Sequence, residues 1–246
     1  MGTMLEFSAA GQDFGAYRAE AVGRVRGAVV VIHEIWGLAD HIKDVADRFA
    51  SSGYLAVAPD LMGLAGLDAT LLAELGAGAG DPARRAEIQP RIRAATEPMR
   101  APGRAGKIQA GVAAVFNYLE ATAEGAGRTG VAGFCFGGSY AFALAVAEPR
   151  VAAAVSFYGH ANYSVEELAG IACPVLAFYG EEDKALTDGL PDLIERMRLA
   201  GADFKYTVFS GAGHAFFNDT NPVTYRPEAA TIAWTETLGF LGHALG

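Results

Sequence analysis

Gly133-Phe134-Cys135-Phe136-Gly137-Gly138 follows the apolar run Arg128-Thr129-Gly130-Val131-Ala132 and opens onto Ser139-Tyr140-Ala141-Phe142-Ala143-Leu144-Ala145. The pattern is Gly-x-nucleophile-x-Gly between a strand and a helix, with cysteine at its centre. A sharp strand-to-helix turn lifts the central side chain above the sheet edge, and only small neighbours leave room for the strained backbone. The helix that follows points its N-terminus at the sulfur, which favours a thiolate and a developing oxyanion. A free cysteine is often a small buried hydrophobe. The glycines two residues to either side and the helix after them favour a nucleophile at Cys135.

Outward from this turn, short apolar runs alternate with helical patterns, which predicts an α/β fold with a mainly parallel sheet covered on both faces. Strands are expected at 4–8, 14–19, 27–33, 54–58, 128–132, 151–157, 174–179 and 204–209, the first two as an antiparallel pair around Ala10-Gly11-Gln12-Asp13. Helices are expected at 39–51, 105–123, 138–148, 187–200 and 222–243. In the second, Ile108, Val112, Val115, Phe116 and Leu119 recur at helical spacing. The last has Pro222 near its start and Ile232, Trp234, Leu238 and Leu241 along an apolar face. Residues 61–104, rich in glycine and proline, break the alternation, with helical turns expected at 68–75 and 83–95. They read as an excursion over the active-site face of one domain spanning 1–246.

A cysteine nucleophile needs a base, and the base needs an orienting group. After the strand at 174–179 comes the acidic loop Gly180-Glu181-Glu182-Asp183, and after the strand at 204–209 comes Ser210-Gly211-Ala212-Gly213-His214. The order nucleophile, acid, histidine (Cys135, Asp183, His214) is that of α/β-hydrolases. Glu181, Glu182 and Asp188 compete with Asp183, and His160 after Phe157-Tyr158-Gly159 competes with His214. His41 and His243 are expected at the surface, and His33 in the pocket wall or the core. His33-Glu34-Ile35-Trp36-Gly37 follows the third strand, where the loop completing an oxyanion hole belongs, so the amides of Ile35 and Phe136 are the expected donors. Trp36, Tyr158 and Phe216 are candidate pocket residues.

His-Glu-Ile-Trp-Gly-Leu at 33–38, Pro-Asp-Leu at 59–61, Gly-Phe-Cys-Phe-Gly-Gly and Gly-His-x-Phe together resemble the dienelactone hydrolase (carboxymethylenebutenolidase) family, from about residue 12 to the C-terminus. The resemblance implies an α/β-hydrolase fold and hydrolysis of a small ester or lactone. Cys135 would be the nucleophile, His214 the base, Asp183 its orienter, and Glu34 the carboxylate that meets the resting thiol and helps generate the thiolate. It also implies two arginines on a lactone carboxylate. One belongs four residues after the histidine, where this chain has Asn218; the other belongs after Pro-Asp-Leu, where Arg84 and Arg85 are the candidates. Asparagine replaces neither the charge nor the fork of a guanidinium. An uncharged or differently charged ester is therefore at least as reasonable a substrate as dienelactone.

The totals exclude several classes. The chain has 246 residues, 52% of them hydrophobic, and a formal charge of −9. That charge argues against nucleic acid or an anionic membrane as partner. No apolar run reaches membrane-spanning length. The lack of a basic region leading into an apolar core at the start predicts an intracellular, cytoplasmic protein. Two cysteines imply a reducing compartment, with Cys173 in a buried strand, and neither has a Cys-x-x-Cys partner for redox work. The second histidine of a zincin motif after His33-Glu34 would fall on Gly37, and Gly125-Ala126-Gly127-Arg128-Thr129-Gly130 precedes a strand where a dinucleotide fingerprint follows one. No metal or organic cofactor is expected, and the oligomeric state is left open. The competing reading is a non-catalytic small-molecule-binding protein on a hydrolase scaffold.

Overall fold

The computed structural model describes residues 2–79 and 84–246. The eight expected apolar runs form eight strands: β1 (Thr3–Ala9), β2 (Gln12–Ala19), β3 (Gly27–Ile32), β4 (Tyr54–Pro59), β5 (Thr129–Phe134), β6 (Ala153–Phe157), β7 (Val175–Gly180) and β8 (Phe204–Phe209). They join in one sheet in the order β1-β2-β4-β3-β5-β6-β7-β8. β2 runs antiparallel to both β1 and β4, and every pair from β4 to β8 is parallel. This is an α/β-hydrolase fold. Strands β3 to β7 are buried along their whole length, as parallel strands covered on both faces must be, whereas β8 alternates toward solvent at the edge.

The helices are α1 (Asp40–Ser51), α2 (Met62–Ala65), α3 (Ala69–Ala79), α4 (Arg85–Thr96), α5 (Arg104–Glu120), α6 (Phe136–Ala147), α7 (Val165–Leu168), α8 (Lys184–Thr187), α9 (Leu190–Ala200) and α10 (Pro227–Leu245). The expected face of α5 is buried through Ile108, Val112, Val115, Phe116 and Leu119. The helix expected at 187–200 is two helices, broken at Asp188-Gly189 and restarted with Pro191 in the first turn. The short α7 escaped the periodicity reading because one turn shows no period; its signal is the capping box of Ser164 and Glu167.

Two expectations for the last helix are corrected. It begins at Pro227, with Glu228 in its first turn, and not near Pro222. Residues 218–225 form successive turns, and the Arg226 amide donates to the Phe216 carbonyl at 2.9 Å before the proline presets the helical φ. Ile232 is 42% exposed, while Ala229, Ala230, Ala233, Thr237, Leu241 and Leu245 are buried. Of the expected apolar face, Leu241 is buried, and Trp234 and Leu238 pack partly buried against the core.

The strand order reverses between β3 and β5, with β4 on one side and β6 on the other. In open α/β sheets the crevice at such a switch point, beyond the C-terminal ends of the strands, is where ligands bind. His33 and Glu34 leave β3 there, and Cys135 leaves β5. Among the described residues, no helix is long and apolar enough to cross a membrane.

Candidate active site

Cys135 sits between the last residue of β5 and the first of α6 with φ 55° and ψ −111°, a conformation that costs energy in any non-glycine residue. The glycines around it are required sterically. A Cβ on Gly133 would lie 1.9 Å from the Gly137 carbonyl oxygen, and one on Gly137 would lie 2.2 Å from that of Ile32. Hydrogen bonds hold the turn: the Cys135 amide donates to the Phe157 carbonyl at 2.9 Å and the Gly137 amide to that of His33 at 3.1 Å. Of the four described non-glycine residues with positive φ, three belong here (Cys135, Tyr158 and Ala215); the fourth, Ala10, lies in the β1–β2 turn.

The loops after β7 and β8 bring the partners in. His214 Nε2 lies 3.0 Å from Cys135 Sγ, and His214 Nδ1 lies 2.5 Å from Asp183 Oδ2. Burial works against a charged imidazole, but the sulfur and the carboxylate beside it outweigh burial, and the His214 pKa is pushed up to about 11 from 6.5. The rivals stand apart from this line. Glu181 accepts from Ser210 Oγ at 2.6 Å, Glu182 is exposed, and exposed His160 donates its backbone amide to Ser139 Oγ at 2.9 Å.

The amides of Ile35 and Phe136 donate no hydrogen bond among the described residues. Phe136 opens α6, so its N–H is one of the free donors of a helix start. Between them, His33 is core, with no exposed surface. Its Nε2 accepts from the Leu61 amide at 3.0 Å, which puts the proton on Nδ1, 2.5 Å from the Glu34 carbonyl oxygen that accepts it. Burial holds its pKa down, so the imidazole is neutral. His33 therefore fixes the backbone of the Glu34-Ile35 turn and links it to Pro59-Asp60-Leu61.

Glu34 departs from the expectation that it meets the thiol. It is 2% exposed, and its two carboxylate oxygens accept from Tyr158 Oη at 3.1 Å and Asn218 Nδ2 at 2.6 Å. The orientation of the Asn218 amide is fixed at its other end, where Oδ1 accepts from the Thr220 amide at 3.1 Å and from Thr220 Oγ1 at 2.7 Å. Asn218 thus stands at the position of an expected arginine and serves as a donor to Glu34. Tyr158 is wholly buried. Burial first and the Glu34 charge second raise its pKa well above the ordinary tyrosine value, so its hydroxyl remains a donor.

A cavity of about 550 Å³ adjoins this brace, lined by Glu34, Trp36 and Gly37 after β3, by Ala39, His41 and Ile42 at the start of α1, by Ala73 and Gly76 of α3, and by Asn218 to Pro222 without Asp219. Trp36 is one of its wall residues. Tyr158 and Phe216 are not: Phe216 has no exposed surface and packs on Tyr158 and Phe209 with ring centroids 5.4 and 5.1 Å apart. Arg84 is exposed and outside the lining, and the side chain of Arg85 lies outside the described residues. His41, expected at the surface, is 5% exposed, with Nδ1 3.1 Å from Asp219 Oδ1, and Asp219 pairs in turn with Arg48. The contribution of His41, Thr220, Asn221 and Pro222 to this wall escapes the sequence reading, which expects His41 at the surface and a helix from 222. The signal was Asn218-Asp219-Thr220-Asn221-Pro222, five turn-forming residues in a row. Among the described residues, no three His, Cys, Asp or Glu side chains converge as metal ligands would.

The model of the dienelactone hydrolase family matches residues 14–245. The chain belongs to the dienelactone hydrolase family. It is 32% identical over 228 residues to a "Putative carboxymethylenebutenolidase" of Saccharolobus solfataricus, covering 87% of this chain and 88% of that one. It is 31% identical over 247 residues to a "Probable 2-oxo-3-(5-oxofuran-2-ylidene)propanoate lactonase" of Bradyrhizobium sp., covering 94% and 90%. The crystal structure of a "Putative Dienelactone Hydrolase" from Klebsiella pneumoniae subsp. pneumoniae superposes with a TM-score of 0.78 at 26% identity, covering 98% of each chain. The chain is thus a dienelactone hydrolase-like hydrolase.

Proposed function

We propose that this family member hydrolyses a small ester or lactone through a thioester formed on Cys135. The observation that carries the reading is the unbroken line from Cys135 Sγ to His214 Nε2 at 3.0 Å and from His214 Nδ1 to Asp183 at 2.5 Å. With its proton held on His214 Nε2, the Cys135 thiolate attacks the substrate carbonyl carbon. The oxyanion that forms is held by the Ile35 and Phe136 amides, each worth roughly 3 kcal/mol in such a role. Collapse breaks the carbon–oxygen bond to the alcohol part, which leaves with the proton from Nε2. His214 then takes a proton from water, the hydroxide attacks the thioester carbonyl, and the sulfur leaves. Free carboxylic acid is released and the thiolate–imidazolium pair is restored. Asp183 fixes the imidazole tautomer throughout.

The free backbone donors beside the sulfur favour this reading over a binding protein, which has no need of an aligned base or of two unpaired amides. The test is acid quenching during turnover of 4-nitrophenyl acetate, followed by peptide mass spectrometry. An acetyl group on the Cys135 peptide is the expected result, and turnover with the acyl group on another residue overturns the mechanism. We place the protein in the cytoplasm on its composition and paucity of cysteines.

A further inference from the structure

We propose that this site selects esters and lactones whose acyl part is neutral or cationic and rejects those carrying an acyl-side carboxylate, with Glu34 as the residue that sets the choice. The inference rests on the thioester mechanism above and adds the substrate class. Geometry assigns the cavity to the acyl part. The alcohol must leave beside His214 Nε2, which gives it its proton, and His214 does not line the cavity. Glu34 and Trp36, which flank Ile35 of the oxyanion loop in sequence, both line the cavity, so it is the space assigned to the portion of substrate that stays on the sulfur.

The charge of that space is one-sided. Its described wall holds the Glu34 carboxylate and no lysine or arginine. Among the described residues, the guanidinium tied to the wall's frame through Asp219, that of Arg48, is already paired with Asp44 and Asp219. Glu34 cannot readily turn away from an incoming anion. Each of its oxygens is held by a separate donor, and one of those donors, Asn218, is itself locked by Thr220. Two unit charges within about 10 Å at an effective dielectric of about 20 repel strongly enough for tenfold discrimination.

The test uses three 4-nitrophenyl esters of similar length: the butanoate, the 4-(trimethylammonio)butanoate and the hydrogen succinate, with uncatalysed rates subtracted. The expected kcat/KM for the succinate is at least about tenfold below that for the butanoate, with the ammonium ester equal to or above the butanoate. In Glu34→Gln the anionic-to-neutral ratio rises severalfold, whatever happens to the absolute rates. Equal rates on the succinate and the butanoate in the wild-type protein overturn the inference, as does an unchanged ratio in the variant. A second measurement needs neither hydrolysis nor the variant: modification of Cys135 by cationic 2-(trimethylammonium)ethyl and anionic 2-sulfonatoethyl methanethiosulfonate. The cationic reagent should be favoured by at least tenfold more than it is with free cysteine, and no added preference overturns the proposal. The mechanism itself falls on a different result, an acyl group found on a residue other than Cys135.

Discussion

Asp183 and Glu34 are both buried carboxylates at strand ends flanking one sulfur, yet each serves a different neighbour. Asp183, 9% exposed at the end of β7, spends an oxygen on the imidazole that touches Cys135. Glu34, 2% exposed after β3, spends both on groups with no proton to pass in the reaction, an amide and a tyrosine hydroxyl held well above its ordinary pKa. Burial and residue type do not separate the two. What separates them is who occupies their lone pairs: one carboxylate faces a base that must change its protonation state, the other faces donors that keep theirs. In the proposed reaction the Asp183 side therefore carries the chemistry, and the Glu34 side shapes the space beside it.

The largest expected effect falls on the centre that the two sides share. Cys135→Ala should lower kcat/KM for 4-nitrophenyl butanoate by at least about 10³-fold while leaving the far-UV circular dichroism unchanged. Hydrolysis at the wild-type rate would remove the sulfur from the reaction and leave the comparison without a centre. Next comes Asp183→Asn, expected to lower kcat by about 10²-fold with KM little changed, because the amide no longer favours the productive tautomer or the imidazolium. A matching loss in Glu34→Gln on the same neutral ester would erase the distinction between the carboxylates.

A titration sharpens the same point without kinetics. The His214 pKa is pushed up to about 11 against burial, chiefly by the sulfur's charge and then by Asp183. A raised imidazole pKa stabilises the folded state fully below the ordinary value of 6.5, and that stabilisation is lost as pH rises toward 11. The His214 ring protons, followed by NMR, should therefore stay in the imidazolium position through neutral pH. In Cys135→Ala the titration should move down, since the largest raising influence is gone. A midpoint near 6.5 in both proteins would mean that the pair rests as neutral thiol and imidazole.

How much of this could be read from the sequence depended on how local the cause was. Strands β3 to β7 were legible because buried parallel strands need continuous apolar runs, and Cys135 was legible because the elbow demands glycine at fixed neighbours. Asp183 and His214 followed from their places at strand ends. The pairing of Asn218 with Glu34 was not legible, since 184 residues separate them and their meeting depends on how the turns after Phe216 pack against β3. The burial of His41 was hidden for a similar reason: its helix face is covered by the same turns, through Asp219. Arg84 illustrates the opposite error, in which a residue type suited to a role stands where the fold leaves it exposed.

The smallest effect is expected at Tyr158, the residue that touches both sides. Its ring lies 5.1 Å from that of His214 and its hydroxyl reaches Glu34. Tyr158→Phe keeps the ring, and with it the packing on His214 and Phe216, but removes one of the two donors that hold Glu34. Leaving a buried carboxylate oxygen unpaired costs roughly 1–3 kcal/mol, which for a chain of this length is a fall in Tm of several degrees. If the Glu34 side only shapes the space, thermal unfolding should register that loss, while kcat on the neutral butanoate ester changes less than about tenfold and far less than in Asp183→Asn. A freed Glu34 should also blur the charge preference, because it can then turn from the cavity. A loss of kcat as large as that of Asp183→Asn, with the fold intact, would mean that Glu34 reaches the sulfur during turnover. The two carboxylates would then be partners in one reaction.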